Sequence, residues 1–259
     1  MNPEKLLLAF FFFFFSLLSS LPFGKGGDGL FAQGEANWWY FGQNAGLDFN
    51  GGAPIAVTNG QLNTSEGCAS ISDATGNLLF YTDGTTVWNS SHIQMPNGFG
   101  LMGHVSSTQS AVIIQKPGSA TIYYLFTADA FAWPNGIRYN EVDMTLNAGL
   151  GDVTANKNVL LNTPSCEKIT GIRHCNNQDV WVVTHDWNSD AFRTYLVTAA
   201  GVNPIPIVSN SGLVVTGNPT NTFGQLKASP DGKKLASAIL DPINRFELFD
   251  FNNSTGIVS

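Results

Sequence analysis

Gly67 to Asn89 reads GCASISDATGNLLFYTDGTTVWN, and the fold follows from how this stretch divides. Cys68 to Ser72 alternates small apolar and polar residues, as a half-buried strand does. Asp73 to Asn77 (DATGN) has tight-turn composition, Leu78 to Thr82 is a second strand, Asp83-Gly84 turns again, and Thr85 to Asn89 is a third strand. The stretch is therefore a three-strand meander.

The same series returns three times. It runs Ser110 to Gln115, the turn KPGSA, Ile122 to Thr127 and Arg138 to Met144; then Thr170 to His174, the turn CNNQD, Val180 to Thr184 and Phe192 to Thr198. The last copy is Leu226 to Ala228, the turn SPDGKK, Leu235 to Leu240 and Arg245 to Phe251. Each second strand closes on an aspartate, at Asp83, Asp129, Asp186 and Asp241, with intervals of 46, 57 and 55 residues. A recurring unit of this size built from short strands is the mark of propeller blades. A β-sandwich also has many short strands, but it does not require the same turn, strand, Asp-turn and strand to recur.

A four-stranded sheet cannot cover both its faces alone. Blades stacked face to face solve that problem, so their middle strands are apolar on both sides, as LLFY, IYYLF, VWVV and LASAIL are. The expectation is an all-β β-propeller with four recognisable blades at 67–107, 108–165, 166–222 and 223–259. Residues 33–66 are expected to be an entering strand and a loop. Closed rings commonly need six to eight blades, so an incomplete ring, truncated after Ser259, is expected, with Asn37 to Asn50 left to pair with a missing last blade. The four aspartates are expected to be structural, accepting backbone N–H bonds in their turns.

Composition sets the address. The chain has 43% hydrophobic and only 12% charged residues, with abundant Gly, Asn, Ser and Thr, as exported turn-rich β proteins do. Its net charge of −7 is spread out and the basic residues do not cluster beyond Lys233-Lys234, which argues against nucleic acid as a partner. Lys5 precedes an apolar run, Leu6 to Leu18, that Ser19, Ser20 and Pro22 interrupt before it could span a bilayer. Residues 1–32 thus read as a signal peptide, giving a secreted or outer-surface protein with no membrane span after cleavage.

Three cysteines follow the leader, an odd number for a closed disulfide framework. Cys166 and Cys175 are a possible pair if the segment between them folds back, which leaves Cys68 as a small buried residue. Zinc at Cys166, His174 and Cys175 is disfavoured, because adjacent residues on a strand face opposite ways and no fourth ligand is suggested. Neither a metal nor a cofactor is expected.

WWYFGQNAGLDFN (Trp38 to Asn50), EGCASISDATGNLLFYTDGTTVWN (Glu66 to Asn89) and MPNGFGLMGHVSSTQSAVIIQKPGS (Met95 to Ser119) resemble the N-terminal propeller region of large surface proteins of the Bacteroidota. Such proteins typically continue into PKD-type sandwich domains and end in a gliding-motility-associated or type IX secretion sorting domain. The resemblance implies a surface-attached protein, although neither of those domains is recognisable in these 259 residues. SPDGKKLA (Ser229 to Ala236) also looks like the first hairpin of WD-type and TolB-like blades.

Chemistry is less legible. None of His92, His104, His174 and His185 lies in a nucleophile-elbow or cysteine-protease motif, and no phosphate-binding glycine loop opens a helix. His185-Asp186 is the nearest acid–base candidate, yet it reads better as a satisfied loop pair. The distinctive polar and aromatic residues are Trp133 and Asn135 in one second-to-third-strand loop and Trp187, Asn188 and Asp190 in the next. In a propeller these loops share a face with those entering each first strand, around Ser106 to Gln109, Glu167 and Gln225. Flat rings beside amides suit glycan or protein recognition, whereas the bland alternative has the rings covering seams between blades. The expected function is a non-enzymatic recognition or adhesion module from a larger surface protein. A polysaccharide hydrolase or lyase, or a plain structural spacer, would be the alternatives. Purified residues 33–259 are expected to aggregate or unfold readily; a monomer on gel filtration with a cooperative thermal transition would contradict the truncation.

Overall fold

The computed structural model describes residues 34–240 and 243–259, so the signal peptide at 1–32 and the turn residue Asp241 lie outside the described residues. Within them the protein is all-β, its only helical elements being single 3-10 turns at Gly34–Ala36, Asn147–Gly149 and Pro219–Thr222. Gly67 to Asn89 forms the expected meander. In chain order the first strands are β1 (Trp38–Phe41), β2 (Ala45–Asp48), β3 (Ile55–Val57), β4 (Ala69–Ser72), β5 (Leu78–Thr82) and β6 (Val87–Asn89). Asp73 accepts from the backbone N–H groups of Thr75 and Asn77 at 2.9 and 3.0 Å to close the β4–β5 turn, and Gly76 supplies its positive φ of 91°.

A third sheet contains β7 (Ala111–Gln115), β8 (Ile122–Ala128), β9 (Ile137–Asp143), β10 (Asp152–Val153) and β11 (Val159–Asn162). The fourth holds β12 (Ser165–Arg173), β13 (Val180–Asp186), β14 (Ser189–Thr198), β15 (Gly201–Val202) and β16 (Ile207–Val215). The fifth is β17 (Leu226–Ala228), β18 (Lys234–Ile239), β19 (Arg245–Asn252) and β20 (Ile257–Val258). Every pairing is antiparallel between neighbours in sequence, except that β9 and β14 each take a second outer partner, β11 and β16. Among the described residues the five sheets do not close into a barrel or ring.

One expectation changes here. Residues 33–66 are not an entering strand and loop, because β1, β2 and β3 make a sheet of their own. Gly42 and Asn44, at φ 59° and 58°, tighten its first turn. Its partner is the next sheet: Tyr40 stacks on Tyr81 at 4.5 Å, and both are fully buried with Leu62.

Successive sheets pack face to face. Phe80, Ile113 and Leu125 fill the seam between the second and third; Phe126, Ile169 and Val182 fill the next; Trp181, Phe192, Leu235 and Phe249 fill the last. The first strand of each sheet lies beside that of the next, so β1, β4, β7, β12 and β17 form the inner row of the stack. At one point the approach requires glycine. A Cβ on Gly67 would stand 2.2 Å from the Ser110 nitrogen, and the Gly67 N–H donates to the Ser107 carbonyl at 3.0 Å.

Three polar side chains tie this row together. The pairing of β12 with β13 is irregular between Ser165 and Ile169, where the consecutive residues Glu167 and Lys168 are both fully buried. Glu167 accepts from Thr108 N and Oγ1 at 2.8 and 3.0 Å and from Phe131 N at 2.8 Å, while Thr222 Oγ1, which donates to the Pro219 carbonyl at 2.6 Å, lies 3.3 Å away. The Lys168 ammonium donates to the carbonyls of Thr222, Phe223 and Gly224 at 3.1, 2.8 and 3.3 Å. Gln109 accepts from Ile169 N and Leu226 N and donates to the Leu226 carbonyl, joining β12 to β17. Truncating Glu167 strands three donors, so Glu167→Ala is expected to cost about 3 kcal/mol in urea unfolding; an unchanged midpoint would show that the carboxylate does not bind the sheets together.

Candidate functional site

The inner row borders a cleft of about 860 Å³. Its middle is apolar, lined by Ile71, Ile113 and Ile172 from β4, β7 and β12. One mouth carries Glu66, Thr108, Gln109 and Gln225, all from segments that lead into first strands; the other carries Arg173 at the end of β12 and Lys116 and Asp179 from the turns after first strands.

Glu66 is the chemically unusual group at the first mouth. Its Oε2 is buried and has no hydrogen-bond partner, and the side-chain oxygen of Gln225 is in the same condition. Both flank the Thr108–Gln109 segment, since Gly67 bonds to Ser107 and Gly224 N donates to Thr108 Oγ1 at 3.3 Å. Burial, and the Glu167 carboxylate beside it, push the Glu66 carboxyl up to about 7. Glu167 is itself shifted upward by burial, against the pull of the Phe131 N–H, the Thr108 N–H and hydroxyl, and the Lys168 charge.

The loop residues expected to form the site are distributed differently. Trp133 is 47% exposed, 5.4 Å from Phe131 and edge-on to His104 at 5.0 Å. Phe131 in turn meets Phe223 of the fifth sheet at 4.9 Å. Trp187 instead packs on Cys166, Val215 and Ile239 in a seam, and among the described residues no ring contact joins it to Trp133. Asn135 serves its own turn, donating from its N–H to Asp129 and accepting from Arg138 through its carbonyl. Asn188 donates from its N–H to the Val215 carbonyl and accepts from Thr216, and Asp190 accepts from Asn210 at 2.7 Å.

Of the turn aspartates, Asp83 accepts from Thr85 N and Thr86 N at 2.8 Å, and Asp129 accepts from Ala130 N and Asn135 N. Asp186 departs from that role. Its carboxylate takes the Arg193 guanidinium at 2.8 Å and the Asn162 amide at 3.0 Å, so it fastens side chains where Asp83 and Asp129 cap backbone.

The Cys166–Cys175 pairing is corrected: both thiols are free, Cys166 buried at the start of β12 and Cys175 exposed beyond its far end. An extended strand holds its ends apart and allows no fold-back. Nor do Cys166 and His185 make a nucleophilic dyad. The imidazole Nδ1 donates to the Asp186 carbonyl at 2.7 Å, and burial holds the thiol up at about 12 and the imidazole down near 4. Among the described residues no cluster of three His, Cys, Asp or Glu side chains could hold a metal ion.

No family model matches the chain, and no curated protein matches it. A solved structure described as "a putative 6-phosphogluconolactonase" from Bacteroides uniformis is similar at 13% identity and a TM-score of 0.44. The match covers 83% of this chain and 62% of that one, so the chain spans less than two thirds of its length. The similar structure carries an enzyme's name, whereas the expectation was a non-enzymatic module. At that TM-score the likeness conveys nothing about reaction, substrate or residues.

Glu66 binds its proton more tightly in the folded chain than the roughly 4.3 of an unfolded glutamate allows. The stabilisation this gives is complete below the unfolded value and is lost as pH rises through about 7. Glu66→Gln removes that dependence, so urea unfolding at pH 5 and pH 8 is expected to show a smaller loss of stability in the variant than in the wild type. Equal losses would place the Glu66 carboxyl in water.

Proposed function

We propose that the five sheets are successive blades of a β-propeller arc in an exported protein, and that the Glu66 mouth of its axial cleft recognises a glycan. Face-to-face packing of antiparallel sheets along an inner row of first strands supports the architecture. So do the apolar residues exposed on the two end sheets, Ile55 at 57% and Leu248 at 71%, which are surfaces of the kind that blades bury against neighbours.

One observation carries the ligand class. Two buried acceptor oxygens without donors, on Glu66 and Gln225, sit in a cleft mouth whose wall residue Thr108 is joined through Glu167 to the loop bearing the exposed Trp133. A sugar offers hydroxyl donors to such acceptors and a flat apolar face to an indole.

Catalysis on a polysaccharide is a second reading, favoured by the proton that Glu66 keeps toward neutral pH. A general acid needs such a proton, and Glu66 keeps an oxygen free to deliver it. Glu167 is saturated with donors and does not serve as the partnering base.

A glycan array followed by calorimetry on the best hit tests the main reading. Trp133→Ala and Gln225→Ala are each expected to weaken binding about tenfold, the scale of one lost stacking or hydrogen-bonding contact. An array without hits, or hits indifferent to both substitutions, would remove it.

A further inference from the structure

The first sheet is the end member of the stack, docked on the second by β1 beside β4 and by Tyr40 and Leu62 against Tyr81. The chain leaves it for β4 through residues 60–66. That segment stays tied to the sheet, since the Leu62 carbonyl accepts from Asn44 N at 2.7 Å and Thr64 N donates to the Gly42 carbonyl at 3.0 Å.

At the edge of this contact stands His92, in the turn after β6. It closes that turn at φ 60°, its N–H donating to the Asn89 carbonyl at 2.9 Å, and its ring lies 5.5 Å from Tyr40 and 5.8 Å from Tyr81. The Tyr40 hydroxyl donates to Asn59 Oδ1 at 3.1 Å, and the Asn59 amide nitrogen stands 2.8 Å from His92 Nε2. His92 Nδ1 is 3.2 Å from the Tyr81 hydroxyl, which accepts from Gln61 N at 2.9 Å.

A neutral imidazole serves this chain with one nitrogen accepting and the other donating, whichever way the Asn59 amide is turned. One tyrosine hydroxyl proton is then left over. With both nitrogens protonated, Asn59 must turn its oxygen to the ring and Tyr81 must accept from it, so the hydroxyl protons of Tyr40 and Tyr81 both lose their acceptors. Both tyrosines are fully buried, so that loss is costly. The titratable groups facing the ring are these two tyrosines, which burial pushes upward, Tyr40 to about 12, so they stay neutral. Asp48, which acts on Tyr40, is engaged by Asn50. Burial holds the His92 imidazole below its usual range.

We propose that His92 is a pH-sensitive latch whose protonation releases the first sheet from the second and loosens the 60–66 segment that carries Glu66 into the cleft. The folded chain prefers the neutral ring, so the stability His92 contributes is complete above the unfolded value of about 6.5 and is lost as pH falls below it. This is opposite in sign to the effect of Glu66.

Hydrogen exchange read by mass spectrometry on the full chain, corrected for the intrinsic pH dependence of exchange, tests the latch. Between pH 8 and pH 5, peptides from β1, β2 and residues 60–66 are expected to lose about fivefold in protection, the scale of one buried hydrogen bond, while those from β13 and β14 do not. His92→Asn keeps the left-handed turn without a titrating ring and is expected to abolish that loss. Asn59→Asp offers the imidazolium a carboxylate and is expected to reverse it, which keeps the test decisive if His92→Asn folds poorly. PH-independent protection of the first sheet, an equal loss in β13 and β14, or a loss that persists in either variant would overturn the proposal.

Discussion

Glu167 and Lys168 are neighbours on β12, and consecutive side chains on a strand leave it in opposite directions. One therefore reaches the third sheet through Thr108 and Phe131, while the other reaches the fifth through the 222–224 carbonyls. Burying two charges is costly, and apolar replacements of similar shape often stabilise a fold by comparison. Rings and branched aliphatics such as Phe126, Ile169, Phe192 and Leu235 supply the driving force along the same seams. What the polar junction adds is position. Apolar faces slide over one another at small cost, whereas a carboxylate with three donors and an ammonium with three acceptors hold one arrangement. The width of the cleft follows from that arrangement.

Strand and turn patterning was legible because it rests on local chemistry. DATGN can hardly avoid a tight turn, LLFY must bury both faces, and the second to fifth sheets fall where those signals repeat. The first sheet was not visible for the opposite reason. Its middle strand, Ala45–Asp48, is short, contains glycine and ends in a charge, so nothing in its four residues announces a buried strand. Only the stacking of Tyr40 on Tyr81, between residues far apart in the chain, makes it one.

The site was legible in part. The segments around Ser106 to Gln109 and Glu167 meet the turn after β8, because hydrogen bonds from Thr108 and Phe131 converge on Glu167. The tryptophans could not be sorted from sequence, since both follow a turn aspartate by a few residues. Their neighbours decide: Trp187 has the hydrophobic wall of Val215 and Ile239 to lie on, and Trp133 meets the rings of Phe131 and His104. Asp186 was assigned by analogy with its copies, and the approach of Arg193 across the β13–β14 pair changed its role.

Glu66 shows how a repeat makes a site. It precedes β4 much as Glu167 begins β12, and both turn toward the loop before β7, yet the loop has donors for only one of them. Thr108 N is taken by Glu167, and Ser107 N is taken by the His104 carbonyl. Gly67, pressed against Ser107 and Ser110 because it lacks a side chain, carries Glu66 into this exhausted region. In one sheet the acid at the strand's start is consumed in holding the stack together. In another the same position keeps an acceptor without a donor, because the structural hydrogen bonds of that loop are already spent.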